Sequence, residues 1–244
     1  MRLAVFGATS AIAGETAKSF AADRAEIVLI GRDATRLQAV AADLRARGAS
    51  RVEVLTADLA LLEEHAGLVE KAWTVLGGLD AVLIAHGTLG DQSKSESDVD
   101  VMLTEMRTNA LSYMSLLTLL GNRFEAQRSG CIAVISSVAG DRGRASNYVY
   151  GSAKAAVSAF TSGLRARLSK AGVSVVTVKP GIVDTPMTAG VRKGPLTASP
   201  DKVGTRIYEA MLKGEDTVYT PWFWAPIMQV IRAMPERVFK KLKF

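Results

Sequence analysis

The chain has 244 residues, 48% hydrophobic and 22% charged, with two histidines and a single cysteine; this excludes a disordered or fibrous protein, an intramolecular disulfide framework and a structural zinc site. The net charge of +6 is concentrated in residues 221–244, which hold five basic residues and one acid, and an excess confined to one terminus excludes the docking face of a nucleic-acid binder. The longest stretches without a charged residue, 108–122 and 217–231, have 15 residues each, short of the ~20 that a spanning helix needs, and the segment MRLAVFGATS enters an apolar strand at once and does not read as a signal peptide; the expected location is the cytoplasm.

In chain order, apolar β-type runs at 3–6, 27–30, 52–56, 81–85, 132–135, 173–178 and 218–220 alternate with stretches rich in Ala, Leu and Arg, such as 13–23, 34–47 and 153–171. Near-continuous apolar strands belong to parallel sheets buried on both faces. The alternation predicts an α/β fold, a doubly wound parallel sheet of about seven strands in three layers. Residues 1–220 read as one domain and 221–244 as a basic aromatic tail. Ligands of such sheets bind beyond the carboxyl ends of the strands, where strand order reverses.

The first strand leads into Gly7-Ala8-Thr9-Ser10-Ala11-Ile12-Ala13-Gly14 and then a helix. Small residues let the backbone approach a pyrophosphate, whose charge is stabilised by free N–H groups at the helix N-terminus. Gly7, Thr9, Ser10, Ala11 and Ile12 are therefore candidate cofactor contacts, although the segment also reads as a plain tight turn. After the second strand stands Gly31-Arg32-Asp33. A site selective for NAD places an acid at this strand end for the ribose 2′-hydroxyl. Arg32 can instead make charge-assisted bonds to a 2′-phosphate, which favours NADP(H) over NAD(H). Asp33 still leaves a carboxylate within reach of a ribose.

The segment SSVAGDRGRASNYVYGSAK runs from Ser136 to Lys154. A helix starting at Tyr150 puts Tyr150 and Lys154 on one face, and Ser137, just after the fifth strand, can fold back over them. A tyrosine with an unperturbed pKa near 10 is a poor acid–base group at neutral pH; a neighbouring ammonium is expected to lower that pKa. The serine hydroxyl can then hold a carbonyl or alcohol oxygen. Tyr148 does not fit the pattern, because Ser152 stands four residues on.

Over about residues 1–220 the chain resembles the short-chain dehydrogenase/reductase family, on the loop 7–13, Asp58, Asn109, Ser137, Tyr150, Lys154 and Pro180-Gly181 with Thr185. The resemblance implies a Rossmann-type fold and an NAD(P)-dependent oxidoreductase. It makes Tyr150 the general acid or base and Lys154 the ligand of the nicotinamide ribose. Ser137 would orient the substrate oxygen, and Asn109 would position a water that links Lys154 to solvent. Asp58, with Leu59 alongside, would contact the adenine; Gly87 would border the cofactor. Pro180, Gly181, the backbone near Val183 and the Thr185 hydroxyl would fix the nicotinamide carboxamide. Asn109 also reads as an ordinary helix polar residue and Asp58 as an N-cap.

Two departures stand out. Ala11 and Ala13 replace the second and third glycines of the family's G-x-x-x-G-x-G, and each is expected to add a methyl where backbone should approach phosphate. Ala85-His86-Gly87 replaces N-A-G, with His86 read as a pocket filler.

In the tail, Ile227, Val230, Ile231 and Met234 form an amphipathic stripe behind Trp222, Phe223 and Trp224, with prolines 226 and 235 expected to break it into short pieces. The pattern fits an interfacial helix on the inner face of an anionic membrane, or a cover over the substrate cleft or an oligomer interface. More loosely, loop and tail resemble the reductase subunits of decaprenylphosphoryl-ribose 2′-epimerases. The expected function is hydride transfer between NADP(H) and a carbonyl or secondary alcohol, as a reductase of a small-molecule, hydrophobic or lipid-linked carbonyl. The alternatives are the keto-reductase half of a two-component sugar epimerase and a catalytically weak nucleotide-binding scaffold. A homodimer or homotetramer through helices around 104–120 and 153–168 is implied by the resemblance.

Overall fold

The computed structural model describes residues 1–190 and 193–242. The strands β1 (Arg2–Phe6), β2 (Glu26–Gly31), β3 (Arg51–Thr56), β4 (Ala81–Ile84), β5 (Gly130–Ile135), β6 (Val173–Pro180) and β7 (Thr217–Thr220) form one parallel sheet in the order β3-β2-β1-β4-β5-β6-β7. Between and after them lie α1 (Ala11–Ala22), α2 (Ala34–Ala46), α3 (His65–Val75), α4 (Gln92–Ser97), α5 (Val99–Met106), α6 (Ser112–Gln127), α7 (Tyr148–Ser169), α8 (Pro200–Lys213), α9 (Trp224–Ala233) and α10 (Glu236–Phe239).

The side-chain alternation of a strand divides the interior into two cores. On one face Leu3 and Val5 of β1 pack with Phe20 of α1, Leu37 of α2 and Ile207 of α8. On the other, Ala4 and Phe6 pack with Val69 of α3, Leu117 of α6 and Leu164 of α7. Residues 3–6 are fully buried, which explains why that stretch is apolar without interruption. Each such Leu or Phe contributes about 1.5–3 kcal/mol by leaving water.

The order reverses between β1 and β4, and there Gly7 meets His86. Gly7 has φ +83°, and a Cβ on it would lie 2.5 Å from the His86 backbone nitrogen. A side chain at position 7 is thus excluded by both conformation and space.

Helix boundaries differ from expectation. α7 begins at Tyr148, five residues before the predicted 153, and α1 begins at Ala11. Gly151 lies inside α7. Its missing side chain admits the carbonyl oxygen of Ala139, which a Cβ would meet at 2.9 Å.

The tail packs against the loop that follows β5. Trp224 and Met228 bury themselves with Val138, while Ile182, Tyr219, Ile227 and Ile231 pack around them. The predicted stripe is rotated: Val230 is 65% exposed and Met228 takes the inward place, because Trp224 sets the inward face and Met228 follows it at i+4. Pro226 sits in the first turn of α9, where no N–H is needed, and Pro235 separates α9 from α10. Arg142 ties this tail down, donating to the carbonyls of Ile231 at 2.5 Å and Met234 at 2.6 Å and to Glu236 at 2.8 Å. Its guanidinium also lies 3.8 Å from the centre of the Phe239 ring. Lys243 and Phe244 of the predicted tail lie outside the described residues. Among the described residues no helix is long and apolar enough to cross a membrane.

Candidate active site

The carboxyl end of β5 and the first turns of α7 bring Ser137, Tyr150 and Lys154 together. Ser136, the first of the paired serines, is structural: its hydroxyl donates to the Lys154 carbonyl at 3.0 Å and lies 2.8 Å from Ser158 Oγ. The Ser137 hydroxyl accepts the Ala139 N–H at 3.1 Å and lies close enough to the Tyr150 phenol to pull its pKa down.

Lys154 is 3% exposed. Its Nζ donates to the Ile135 carbonyl at 3.1 Å and sits 4.3 Å from the centre of the Tyr113 ring and 5.8 Å from that of Tyr150. Burial pulls its pKa down to about 7. Burial pushes the Tyr150 phenol up to about 12, against the opposing pull of the Ser137 hydrogen bond. In this structure loss of water dominates the Tyr150 phenol and moves its pKa opposite to the direction expected from a neighbouring ammonium. At neutral pH the phenol holds its proton, the state a general acid needs.

Asn109 lies in a π-helical turn, Arg107–Leu111, between α5 and α6. Its Oδ1 accepts the Thr88 N–H at 3.0 Å, and its Nδ2 donates to Thr88 Oγ1 at 3.1 Å and to Glu105 Oε2 at 3.0 Å. Gly87 (φ +145°) stands between this amide and the lysine. A Cβ there would meet Asn109 Oδ1 at 2.6 Å and Lys154 Nζ at 3.8 Å. His86 stacks on Tyr113 with ring centres 4.4 Å apart and hydrogen-bonds Ser112 through Nε2, while Nδ1 has no partner. Desolvation, followed by the charge of Lys154, keeps its pKa well below the usual histidine value. It is a neutral packing residue.

At the start of α1, Ser10 offers no side-chain cap, so the first N–H groups of the helix are free for an anion. The two alanines of the loop behave differently. Ala13 is fully buried in the core beneath α1, so its methyl packs against the sheet and the expected obstruction of phosphate does not arise there. Ala11 is half-buried at the loop surface. Thr9 directs its carbonyl to Arg36 Nη2 at 3.2 Å. Arg32 is exposed at the end of β2. Asp33 caps α2, accepting the Arg36 N–H at 3.0 Å. Two arginines thus stand beside the end of β2 and the start of α2, and the nearby Asp33 carboxylate is engaged in capping.

Asp58 accepts the Ala60 N–H at 2.9 Å. Leu59 turns its side chain into the core. Its carbonyl is held at 3.1 Å by Nε2 of buried His65, whose Nδ1 is 2.9 Å from Ser115 Oγ. Pro180 ends β6. Gly181 lies against Trp224, whose Nε1 would be 1.9 Å from a Cβ at that position and has no hydrogen-bond partner. Val183 is buried and bridges to Ala198, and the Thr185 hydroxyl lies 3.3 Å from Thr188 Oγ1. Thr88, Glu105, Arg36 and Tyr113 escape sequence reasoning. Only Arg36 had a local signal, three residues after a capping aspartate.

The sequence pattern of the family described as short chain dehydrogenase matches residues 2–195. An uncharacterized oxidoreductase of Mycobacterium tuberculosis is 37% identical over 98% of this chain and 95% of its own length. One of Streptomyces coelicolor is 33% identical over the same shares. Among solved structures, a short chain dehydrogenase/reductase family protein is 28% identical with a TM-score of 0.79, covering 90% of this chain and 94% of that one. A short-chain dehydrogenase from Sphingobium yanoikuyae in complex with NADPH shares the fold at TM-score 0.82 and 24% identity, over 96% of both chains.

The burial of Lys154 has a measurable consequence for the cofactor-free protein. Below pH 7 the amine is charged in both folded and unfolded chains, and the folded state carries the full desolvation cost. As pH rises from about 7 to about 10.5, the folded amine loses its proton first and the cost disappears. Lys154→Met is therefore expected to be more stable than wild type at pH 6, by a few kcal/mol. The difference should shrink steadily toward pH 10 in thermal denaturation series; a gap that is constant with pH would contradict it.

Proposed function

Because the chain belongs to the short-chain dehydrogenase/reductase family, whose members are NAD(P)-dependent oxidoreductases, we propose that it is an NADP(H)-dependent reductase of a hydrophobic or lipid-linked carbonyl compound. The observation that carries the reading is the placement of Tyr150 beside buried Lys154, whose Nζ lies 5.8 Å from the Tyr150 ring centre, with Ser137 at the end of the adjoining strand β5. Bound nicotinamide supplies a hydride to the carbonyl carbon. Ser137 donates a hydrogen bond to the carbonyl oxygen, and Tyr150 gives that oxygen its proton. Lys154 holds the ribose hydroxyls, and the free N–H groups of α1 hold the pyrophosphate. Asp58 and the Leu59 backbone hold the adenine, while the 180–185 segment fits the carboxamide.

The preference for NADP(H) rests on Arg32 and Arg36, because each can donate charge-assisted bonds to a 2′-phosphate. Ile182 and Phe223, only partly buried over the core cluster of Val138, Trp224 and Met228 that follows Ser137, supply apolar surface suited to a hydrophobic substrate. Fluorescence titration is expected to show tighter binding of NADPH than of NADH. Arg32→Ala should weaken NADPH about tenfold or more and leave NADH unchanged. Tyr150→Phe should still bind NADPH but lose about 100-fold or more in ketone turnover. Equal affinity for the two cofactors, or near-normal turnover by Tyr150→Phe, would sink the reading.

A second copy of the chain is proposed to cover the outer face of α5 and the turn after it, where Val99, Leu103 and Leu111 are exposed. Light scattering should give an oligomer for wild type and a monomer for Leu103→Glu. An oligomer unaffected by this change would place the interface elsewhere.

The tail exposes Trp222, Val230, Val238 and Leu242 next to Arg232, Arg237, Lys240 and Lys241, a combination suited to an anionic lipid surface. The protein is expected to float with phosphatidylglycerol vesicles and not with phosphatidylcholine vesicles. Trp222→Ala with Lys240→Glu and Lys241→Glu should stay in the pellet fraction; flotation of that variant would rule the tail out as the contact.

A further inference from the structure

A carboxylate that the family pattern does not include stands beside the proton-transfer residues. Glu105, in the last turn of α5, accepts from Thr88 Oγ1 at 2.7 Å and from Asn109 Nδ2 at 3.0 Å through one oxygen, Oε2. Gly90 closes over the same carboxylate: with φ +71°, a Cβ there would lie 2.8 Å from Glu105 Oε2. Glu105 and Tyr150 both line a cavity of about 10 Å³ between the 89–95 segment and the start of α7. That space is about the size of one water molecule. Its other polar walls are Asp91, Gln92 and Ser95. Asp91 is engaged in capping α4 through the Lys94 N–H at 3.2 Å, and Gln92 Oε1 accepts the Val149 N–H at 3.2 Å. Asn109, the residue expected to order a water for Lys154, has both groups of its side-chain amide tied to Thr88 and Glu105.

We propose that Glu105 is a proton-relay and positioning residue, acting on Tyr150 through a single water held in this cavity. The inference rests on the reductase reading. Each turnover takes the Tyr150 phenolic proton to the substrate oxygen and leaves a phenolate in a buried site. The water donates one proton to that phenolate and takes one from Glu105, which is reprotonated from solvent, so one proton enters for each one consumed. The Oε2 bonds to Thr88 and Asn109 hold the carboxylate and the Asn109 amide in place at the wall of the cavity. The route is distinct from one through Lys154, whose Nζ bonds the Ile135 carbonyl on the inner side of α7.

The first test needs neither cofactor nor substrate. A high-resolution crystal structure of the wild-type protein is expected to show an ordered water within hydrogen-bond distance of both the Glu105 carboxylate and the Tyr150 hydroxyl; a cavity without that water overturns the proposal. The second uses NADPH with phenanthrenequinone as the probe carbonyl. Glu105→Gln keeps an acceptor for Thr88 and Asn109 but cannot carry the proton. It is expected to lower kcat about tenfold and raise the solvent deuterium isotope effect, with KM and NADPH affinity unchanged. Glu105→Asp should recover part of the loss, and Asp91→Asn, across the same cavity, should keep wild-type kcat. Wild-type kcat and isotope effect in Glu105→Gln would overturn the relay alone. A wild type that binds NADPH and reduces no carbonyl would overturn the reductase reading and the relay with it.

Discussion

The amine of Lys154 is buried at the carboxyl edge of a parallel sheet, and its direct hydrogen bond among the described residues goes to the backbone carbonyl of Ile135. An ammonium in that position has lost its water without gaining a carboxylate, which is why its pKa falls to about 7. The surroundings are arranged to make this tolerable. The face of Tyr113 lies under the nitrogen, a favourable setting for a cation, and His86 is kept neutral beside it. The same dry environment keeps the proton on Tyr150. Burial therefore drives both halves of the pair toward their neutral forms, and a cofactor ribose on Lys154 would replace hydration that the fold has removed.

Around this centre the chain is tied together by contacts between distant segments. Asp141, on the loop after Ser137, is almost fully buried and pairs with Lys179 at 2.5 Å while accepting from Tyr219 at 2.6 Å. Lys179 precedes Pro180 at the end of β6, so the ion pair fixes the serine loop relative to the segment assigned to the nicotinamide. A buried pair of this kind adds little net stability, since desolvation offsets attraction; its value here is geometric. Arg142 extends the same loop to the tail through the carbonyls of Ile231 and Met234. The tail is thus mechanically continuous with the loop that carries Ser137, and anything that displaces it acts on the hydroxyl facing Tyr150.

Much of this was legible without coordinates. Each apolar run became a strand, because a parallel strand buried on both faces tolerates few polar residues and leaves a local signature. Ser137, Tyr150 and Lys154 were legible because helical spacing and one strand end suffice to bring them together. The upward pull of burial on the Tyr150 pKa was not legible, since a neighbouring lysine is visible in sequence whereas the depth of burial is not. Ala13 was misjudged for a related reason: a loop position shows that a methyl is present, but not that it points into the core. Of the expected stripe in the tail, Ile227 and Ile231 pack inward but Val230 gives way to Met228, because Trp224, and not the periodicity alone, chose the inward face of α9.

Local order along the chain determined the elements, their parallel arrangement and the serine–tyrosine–lysine set, since these depend on spacings of a few residues and on strand-to-helix alternation. Tertiary structure alone decided which groups surround that set. Thr88 and Glu105 reach Asn109, Arg36 reaches Thr9, and Trp224 covers Gly181 across separations of 4 to 43 residues. In nearly all of these cases the contact is made by segments brought together only when the sheet closes. The one short separation, Glu105 to Asn109, depends on a π-helical turn that no sequence period announces. Charge and hydrogen-bond energies in the site depend on dielectric and distance, and both are properties of the packed interior.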